Sequence, residues 1–128
     1  MSRVSKRRYA TKSFDPTKKL SETQLEQIEE LLQGSSSSVN IQPWHFVIVI
    51  SSSGKKRLTQ ATQGFFSFNT SKIMNASAII VFASKIDMDE KYLRHLLKKE
   101  DMDGRYLKPA FKKQSNAGRK AFVDLHHY

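Results

Sequence analysis

The chain has 128 residues, 38% of them hydrophobic and none of them cysteine, with 22 Lys and Arg against 12 Asp and Glu for a net charge of +10. That length suits one domain, residues 1–128, with a modest core, and the lack of cysteine excludes a disulfide framework, a thiolate metal site and a cysteine nucleophile. No apolar run approaches the ~18 to 20 residues that cross a bilayer, and the N-terminus lacks the apolar centre of a signal peptide, so a cytoplasmic protein is expected.

The opening Ser2–Arg8 carries one large apolar residue, Val4, which would anchor a first helix poorly. Leu20-Ser21-Glu22-Thr23-Gln24 then reads as a helix start, with Ser21 as N-cap, Gln24 closing a capping box and Leu20 ahead of the cap. Leu25, Ile28, Leu31 and Leu32 form one apolar stripe on a helix that ends near Gly34. A loop rich in serine follows, Gly34 to Pro43, whose small hydroxyl and amide groups let a flat polar ligand approach closely.

Phe46–Ile50 is uniformly apolar and short, and predicts a buried central strand; Ala78–Ala83 reads the same way. Between them Gly54–Gln63 predicts a helix and Thr70–Ala76 a shorter one. Asp87-Met88-Asp89-Glu90 predicts a capping box for a helix through Glu100, and Pro109 opens a last helix carrying Phe111, Phe122 and Leu125. The order indicates an α+β, or layered α/β, domain with a central sheet flanked by helices. Two strands make a thin sheet, which agrees with a fragment or with self-association.

Basic residues are scattered through Lys6–Lys19, Lys55–Arg57, Lys91–Lys99 and Lys108–Lys120. They favour anionic partners in general, but no nucleic-acid recognition module accompanies them, and solvated helix faces account for them better. No Ser-His-Asp spacing, phosphate-binding glycine loop or dinucleotide fingerprint occurs. His126 and His127 are adjacent and so do not face one another on a helix; neither they nor His45 or His95 make a metal site.

Five segments in order carry a resemblance. Ser36-Ser37-Ser38-Val39-Asn40-Ile41-Gln42-Pro43-Trp44-His45-Phe46 resembles the S-x-x-N-x-Q-P-W-x-F segment of the FMN-dependent nitroreductase family. Arg7-Arg8-Tyr9-Ala10-Thr11-Lys12-Ser13-Phe14-Asp15 is similar to that family's opening, and Phe66–Lys72, Glu100–Tyr106 and Gly118–Phe122 follow in the family's order. The likeness is greatest to the oxygen-insensitive NAD(P)H nitroreductase and dihydropteridine reductase branch, and spans Arg7 to His126. It reaches only the N-terminal portion of a nitroreductase-like fold, so a C-terminally truncated domain is expected.

The resemblance implies an FMN-dependent oxidoreductase that takes hydride from NAD(P)H and reduces nitroaromatics, quinones or pterins as a homodimer. It places Arg8 at the FMN phosphate and ribityl end, within a cofactor-binding run of Arg8, Tyr9, Ala10, Thr11 and Lys12. Ala10 stands where this branch usually has serine, which leaves only its backbone for the flavin. Lys12 would lie near the flavin N1–C2 carbonyl and the substrate, and Asn69 and Lys72 at the ring edge. Ser36, Ser37, Ser38 and Asn40 would reach a flavin held mainly by the other subunit, with Ser36 in place of the usual proline. Phe66, Phe68 and Phe122 would line the substrate channel, and Arg105 would approach the phosphates of the pyridine nucleotide. Two other readings compete: an inactive truncated remnant of such an enzyme, and a small basic nucleic-acid-binding protein, for which no recognition element is legible.

Overall fold

A computed structural model describes residues 7–126, so the expectation for the first helix lies largely outside the described residues. Among the described residues the elements follow in the order α1 (Glu22–Gln33), β1 (Trp44–Val49), α2 (Ser52–Leu58), α3 (Thr70–Asn75), β2 (Ile79–Ser84), α4 (Glu90–Met102) and α5 (Pro109–Leu125). Short 3-10 segments cover Ser38–Asn40, Thr59–Thr62 and Gly64–Asn69. The fold is α+β. Its two strands pair with each other, and the bond from the Lys85 N–H to the Pro43 carbonyl (2.7 Å) sets the end of β2 beside the start of β1, an antiparallel arrangement.

The chain divides into two compact units, one formed by residues up to Glu29 with Phe46–Val81, the other by Glu30–His45 with Phe82 onward. In the first unit the expected capping box closes: the Ser21 N–H donates to Gln24 Oε1 (2.9 Å) and the Gln24 N–H to Ser21 Oγ (3.2 Å). The Leu20 N–H donates to Ser77 Oγ (2.7 Å), which ties the start of α1 to the residues just before β2. Ser51 caps α2 by accepting the Gly54 N–H (3.1 Å). A Cβ at Gly54 would stand 2.7 Å from Val49 Cγ1, so glycine is what allows α2 to start so close to β1.

The single helix expected over Gly54–Gln63 is instead α2 followed by a 3-10 turn. The reason is local: Thr59 Oγ1 donates to the Lys56 carbonyl (2.8 Å) and Thr62 Oγ1 to the Thr59 carbonyl (2.9 Å), hydroxyl back-bonds that compete with the α-helical ladder. Lys55 is buried, and its Nζ donates to the carbonyls of Ala76 (2.5 Å) and Ser77 (3.1 Å) beyond the end of α3, where a cation is favourable. Burial, then the nearby Lys19, pulls the Lys55 pKa below its ordinary value.

In the second unit Asp89, not Asp87, caps α4: its Oδ1 accepts the Tyr92 N–H (2.7 Å). The expected Asp87–Glu90 box therefore does not form, because the carboxylate nearest the first turn wins the free N–H. At the other end the Gly104 N–H bonds the Asp101 carbonyl (3.1 Å) and the Arg105 N–H the Glu100 carbonyl (3.0 Å), the paired bonds of a Schellman ending. Gly104 takes the positive φ (77°) that this ending requires. Pro109 opens α5 as expected.

The strands correct a second expectation. Neither is a buried central strand: Val47 is 43% exposed, Ile50 56% and Phe82 69%. Among the described residues the sheet has two strands, β1 beside β2. On α1, Leu25, Ile28 and Leu32 are half-buried while Leu31 faces outward, narrowing the expected stripe. Buried apolar side chains among the described residues are Ile41, Ala76, Leu93 and Leu96, a small core for the length.

Candidate functional site

The first unit contains an open cavity of about 850 Å³. Its walls are mainly apolar, from Phe14, Leu20, Ile73 and the start of β2, and its polar wall includes Asn69 and Lys72. These two come together because the 3-10 segment Gly64–Asn69 runs directly into α3, so positions 69 and 72 fall on one face three residues apart. Lys72 Nζ donates to Asn69 Oδ1 (3.0 Å) and stands 4.9 Å from the centre of the Phe68 ring. By occupying the amide oxygen, Lys72 fixes which end of Asn69 is oxygen and leaves its NH₂ for another acceptor.

Of the expected run Arg8 to Lys12, Tyr9 lines this cavity and all five residues are exposed; Arg8, Ala10, Thr11 and Lys12 do not line it. Phe66 and Phe68 are exposed on the 3-10 segment, 55% and 58%.

The second unit holds a separate cavity of about 480 Å³, bordered by Ser36, Ser37, Asn40, Arg105, Ser115 and Arg119. Ser38 is exposed and does not line it. The loop that carries these serines is strained: Val39, Asn40 and Gln42 have φ of 48°, 52° and 47°. Side chains hold it there. Tyr92 Oη donates to the carbonyls of Ile41 (2.9 Å) and Gln42 (2.7 Å), Arg119 Nε donates to the Val39 carbonyl (3.2 Å), and Ser37 Oγ accepts the Gln42 N–H (2.9 Å).

Beneath the loop lies a charged cluster. Arg119 is 1% exposed and Glu100 6%; Arg119 Nη2 reaches both carboxylate oxygens at 2.8 Å. Asn40 Nδ2 donates to Glu100 Oε1 (2.5 Å), Tyr106 Oη donates to Oε2, and Arg105 Nε stands 3.6 Å from Oε1. Burial alone would raise the Glu100 pKa, but the donors Tyr106, Arg119 and Asn40, with the charge of Arg119, hold the carboxyl below the ordinary range. Burial, and then the bond to the Glu100 carboxylate, raises the Tyr106 phenol. Asn40, expected to face flavin, is thus engaged within the chain, its Oδ1 also accepting from Gln42 Nε2 (3.0 Å).

Neither Glu100 nor Arg119 stood out in the sequence as a site residue. A signal existed: Leu93, Leu96 and Glu100 share one helical face at i, i+3 and i+7, so a carboxylate falls on the buried stripe and demands a partner. Phe122 lies apart from the serine cavity, stacked on His126 at 4.2 Å beside a third cavity lined by Ile41, Pro43 and Met88. His45 and His95 are exposed, and no cluster suited to a metal ion occurs among the described residues.

The sequence model of the Nitroreductase family matches residues 5–125. The chain is 42% identical over 123 residues to the oxygen-insensitive NAD(P)H nitroreductase of Salmonella typhimurium, covering 96% of this chain and 57% of that protein. It is 40% identical over 123 residues to the enzyme of the same name from Enterobacter cloacae, with the same coverage. Among solved structures, one titled a nitroreductase in complex with FMN from Exiguobacterium sibiricum superposes with a TM-score of 0.70 at 24% identity, over 93% of this chain and 54% of that one. The chain therefore spans somewhat more than half the length of these relatives, and it belongs to the nitroreductase family.

Proposed function

We propose that the cavity of the first unit receives the isoalloxazine of FMN, and that the chain takes part, as a homodimer, in NAD(P)H-dependent reduction of small acceptors such as nitroaromatics, quinones or pterins. One observation carries this reading: the Lys72–Asn69 pair sits in the wall of a cavity that is mainly apolar, with Ser13, Asp15, Lys18, Thr62 and Ser77 as its other polar lining. The cavity volume of about 850 Å³ falls within the ~300 to 1,000 Å³ typical of cofactor pockets, and apolar walls with a few placed polar groups suit a flat heterocycle with one hydrogen-bonding edge. The names of the matched relatives support the same activity.

FMN, when bound, supplies the hydride chemistry that no side chain here provides. The residues bind and orient. The Lys72 ammonium favours negative charge at the ring edge, and Asn69 presents its free NH₂ to an acceptor there. Arg8 and Lys12, both exposed on the segment that carries Tyr9, would meet the phosphate end and the N1–C2 carbonyl, Arg8 through its fork of donors. Ala10 and Thr11 would offer backbone groups. Ser36, Ser37 and Ser38 would approach the flavin of the partner subunit, and Phe66, Phe68, Phe122 and Arg105 would serve the acceptor or NAD(P)H. A homodimer also fits the exposed aromatic pair Phe65 and Phe66 of the first unit, 86% and 55% exposed.

A second reading is that this chain by itself binds flavin weakly and does not turn over. Titration with FMN, followed by flavin fluorescence, and then NADH or NADPH oxidation with a quinone acceptor separate the two. Saturable binding with turnover supports the reductase; binding without turnover supports the second reading; no binding at any flavin concentration rejects both.

A further inference from the structure

We propose that Thr62 is a positioning residue of the first unit's cavity: through Thr70 it sets the start of α3, the helix on which Asn69 and Lys72 stand, and thereby the affinity for the ring bound there. This inference rests on the reading of that cavity as a flavin site. Thr62 Oγ1 donates its hydrogen to the Thr59 carbonyl (2.9 Å) and lies 2.9 Å from Thr70 Oγ1. A hydroxyl has a single hydrogen, so the bond between the two threonines runs from Thr70 to Thr62. The 3-10 turn Thr59–Thr62 therefore fixes the Thr62 oxygen, and that oxygen in turn fixes the first residue of α3.

The helix needs such a hold. At six residues α3 is far below the ~12 to 15 that sustain a helix on its own, and Asn69, in the N-cap position, makes no side-chain bond to the helix it precedes. Its far end is anchored from outside by Lys55, whose Nζ donates to the carbonyls of Ala76 and Ser77. Its near end is anchored by the Thr70–Thr62 bond. Between the anchors, Asn69, Lys72, Ile73 and Ala76 all line the cavity, at the spacing i, i+3, i+4 and i+7, so one whole face of α3 is wall. Releasing the near end lets α3 pivot on the Lys55 anchor and carries Asn69 and Lys72 off together. Thr62 borders the cavity and Thr70 does not, so Thr70 reports on position without any contact to a ligand.

The test is titration of the full chain with FMN, followed by flavin fluorescence, in Thr62→Val, Thr70→Val, Thr62→Ser and the parent, with circular dichroism as the check on folding. Valine keeps the β-branched shape and removes the hydroxyl; because the two valine variants break one bond from opposite ends, loss of the fold in one leaves the other to decide. Each is expected to weaken FMN binding by roughly three- to tenfold, the double variant no more than either alone, and Thr62→Ser to keep the parent's affinity. A merely structural role is separated by repeating Thr70→Val in a Lys72→Ala background. Lys72 also holds the Asn69 amide, so with Lys72 gone the further loss should shrink to about twofold or less. Saturable binding by the parent with an unchanged Thr70→Val, or an undiminished loss in the Lys72→Ala background, overturns the proposal and leaves the flavin reading standing. No binding by the parent at any flavin concentration overturns both.

Discussion

Arg119 donates from one nitrogen to both oxygens of Glu100, 2.8 Å to each, and both side chains are buried. The pair ties α5 to the end of α4, and through Asn40 and Val39 it also fixes the serine loop. Removing one partner leaves the other as an uncompensated buried charge, which costs ~3 to 5 kcal/mol. Against a typical stability of ~5 to 15 kcal/mol that is a large share. Glu100→Ala is therefore expected to lose about that much in urea denaturation, and Glu100→Gln less, since it keeps acceptors for Asn40 and Arg119. An alanine variant within ~0.5 kcal/mol of the parent would show that the pair does not hold the second unit together.

The same cluster sets an acid limit. Burial works to raise the Glu100 pKa, yet the hydrogen bonds from Tyr106, Arg119 and Asn40 outweigh it, and the folded value lies below the unfolded one. A depressed carboxyl contributes its full stability above the unfolded pKa, ~4.3, and loses it as pH falls through the folded value. Urea midpoints should thus be insensitive to Glu100 between pH 7 and 5.5 and fall below about pH 4.3. In Glu100→Gln that fall should be shallower; an unchanged slope would assign acid sensitivity to other carboxylates.

What the sequence revealed and what it hid divide along physical lines. The Ser21–Gln24 box, the Pro109 start and the two strands were legible because local rules govern them, with a period, a cap or a fixed φ. Asn69 and Lys72 were named through the resemblance, and their three-residue spacing brings them together at the start of α3. Strand burial was not, because it depends on what packs against each face rather than on the apolar run itself. Arg8 and Lys12 could be named only through resemblance, since an exposed cation looks like any other in a chain with 22 of them. The Arg119–Glu100 pair joins residues 19 apart, and no local rule links them.

Val39 stores strain that a substitution should release. A β-branched residue at φ 48° is costly, roughly 1 to 2 kcal/mol, and Val39 is 41% exposed, so little burial offsets it. Asparagine tolerates this region, while Arg119 bonds only the main-chain carbonyl, which the substitution keeps. Val39→Asn is expected to raise stability by about 1 kcal/mol, roughly 3 to 5 °C in Tm for a chain of this size. A lower Tm would mean that the valine side chain packs in a way worth more than the strain.

The last prediction concerns Lys72, which separates a ligand role from a structural one. Inside the chain it makes one bond to Asn69 and a contact with the Phe68 ring, both partly exposed, so Lys72→Ala should cost less than ~1 kcal/mol of stability. Toward a flavin it would add a charge-assisted hydrogen bond of ~1.5 to 3 kcal/mol, which corresponds to a roughly ten- to hundredfold loss of FMN affinity in the variant. Lys12→Ala makes the complementary case, because Lys12 is exposed and does not line the cavity. A loss of affinity there without any change in Tm would place Lys12 on the ligand. Flavin fluorescence titration and thermal melts of both variants beside the parent decide the matter: unchanged affinity in Lys72→Ala, with the fold intact, would remove the Lys72–Asn69 wall from the flavin site.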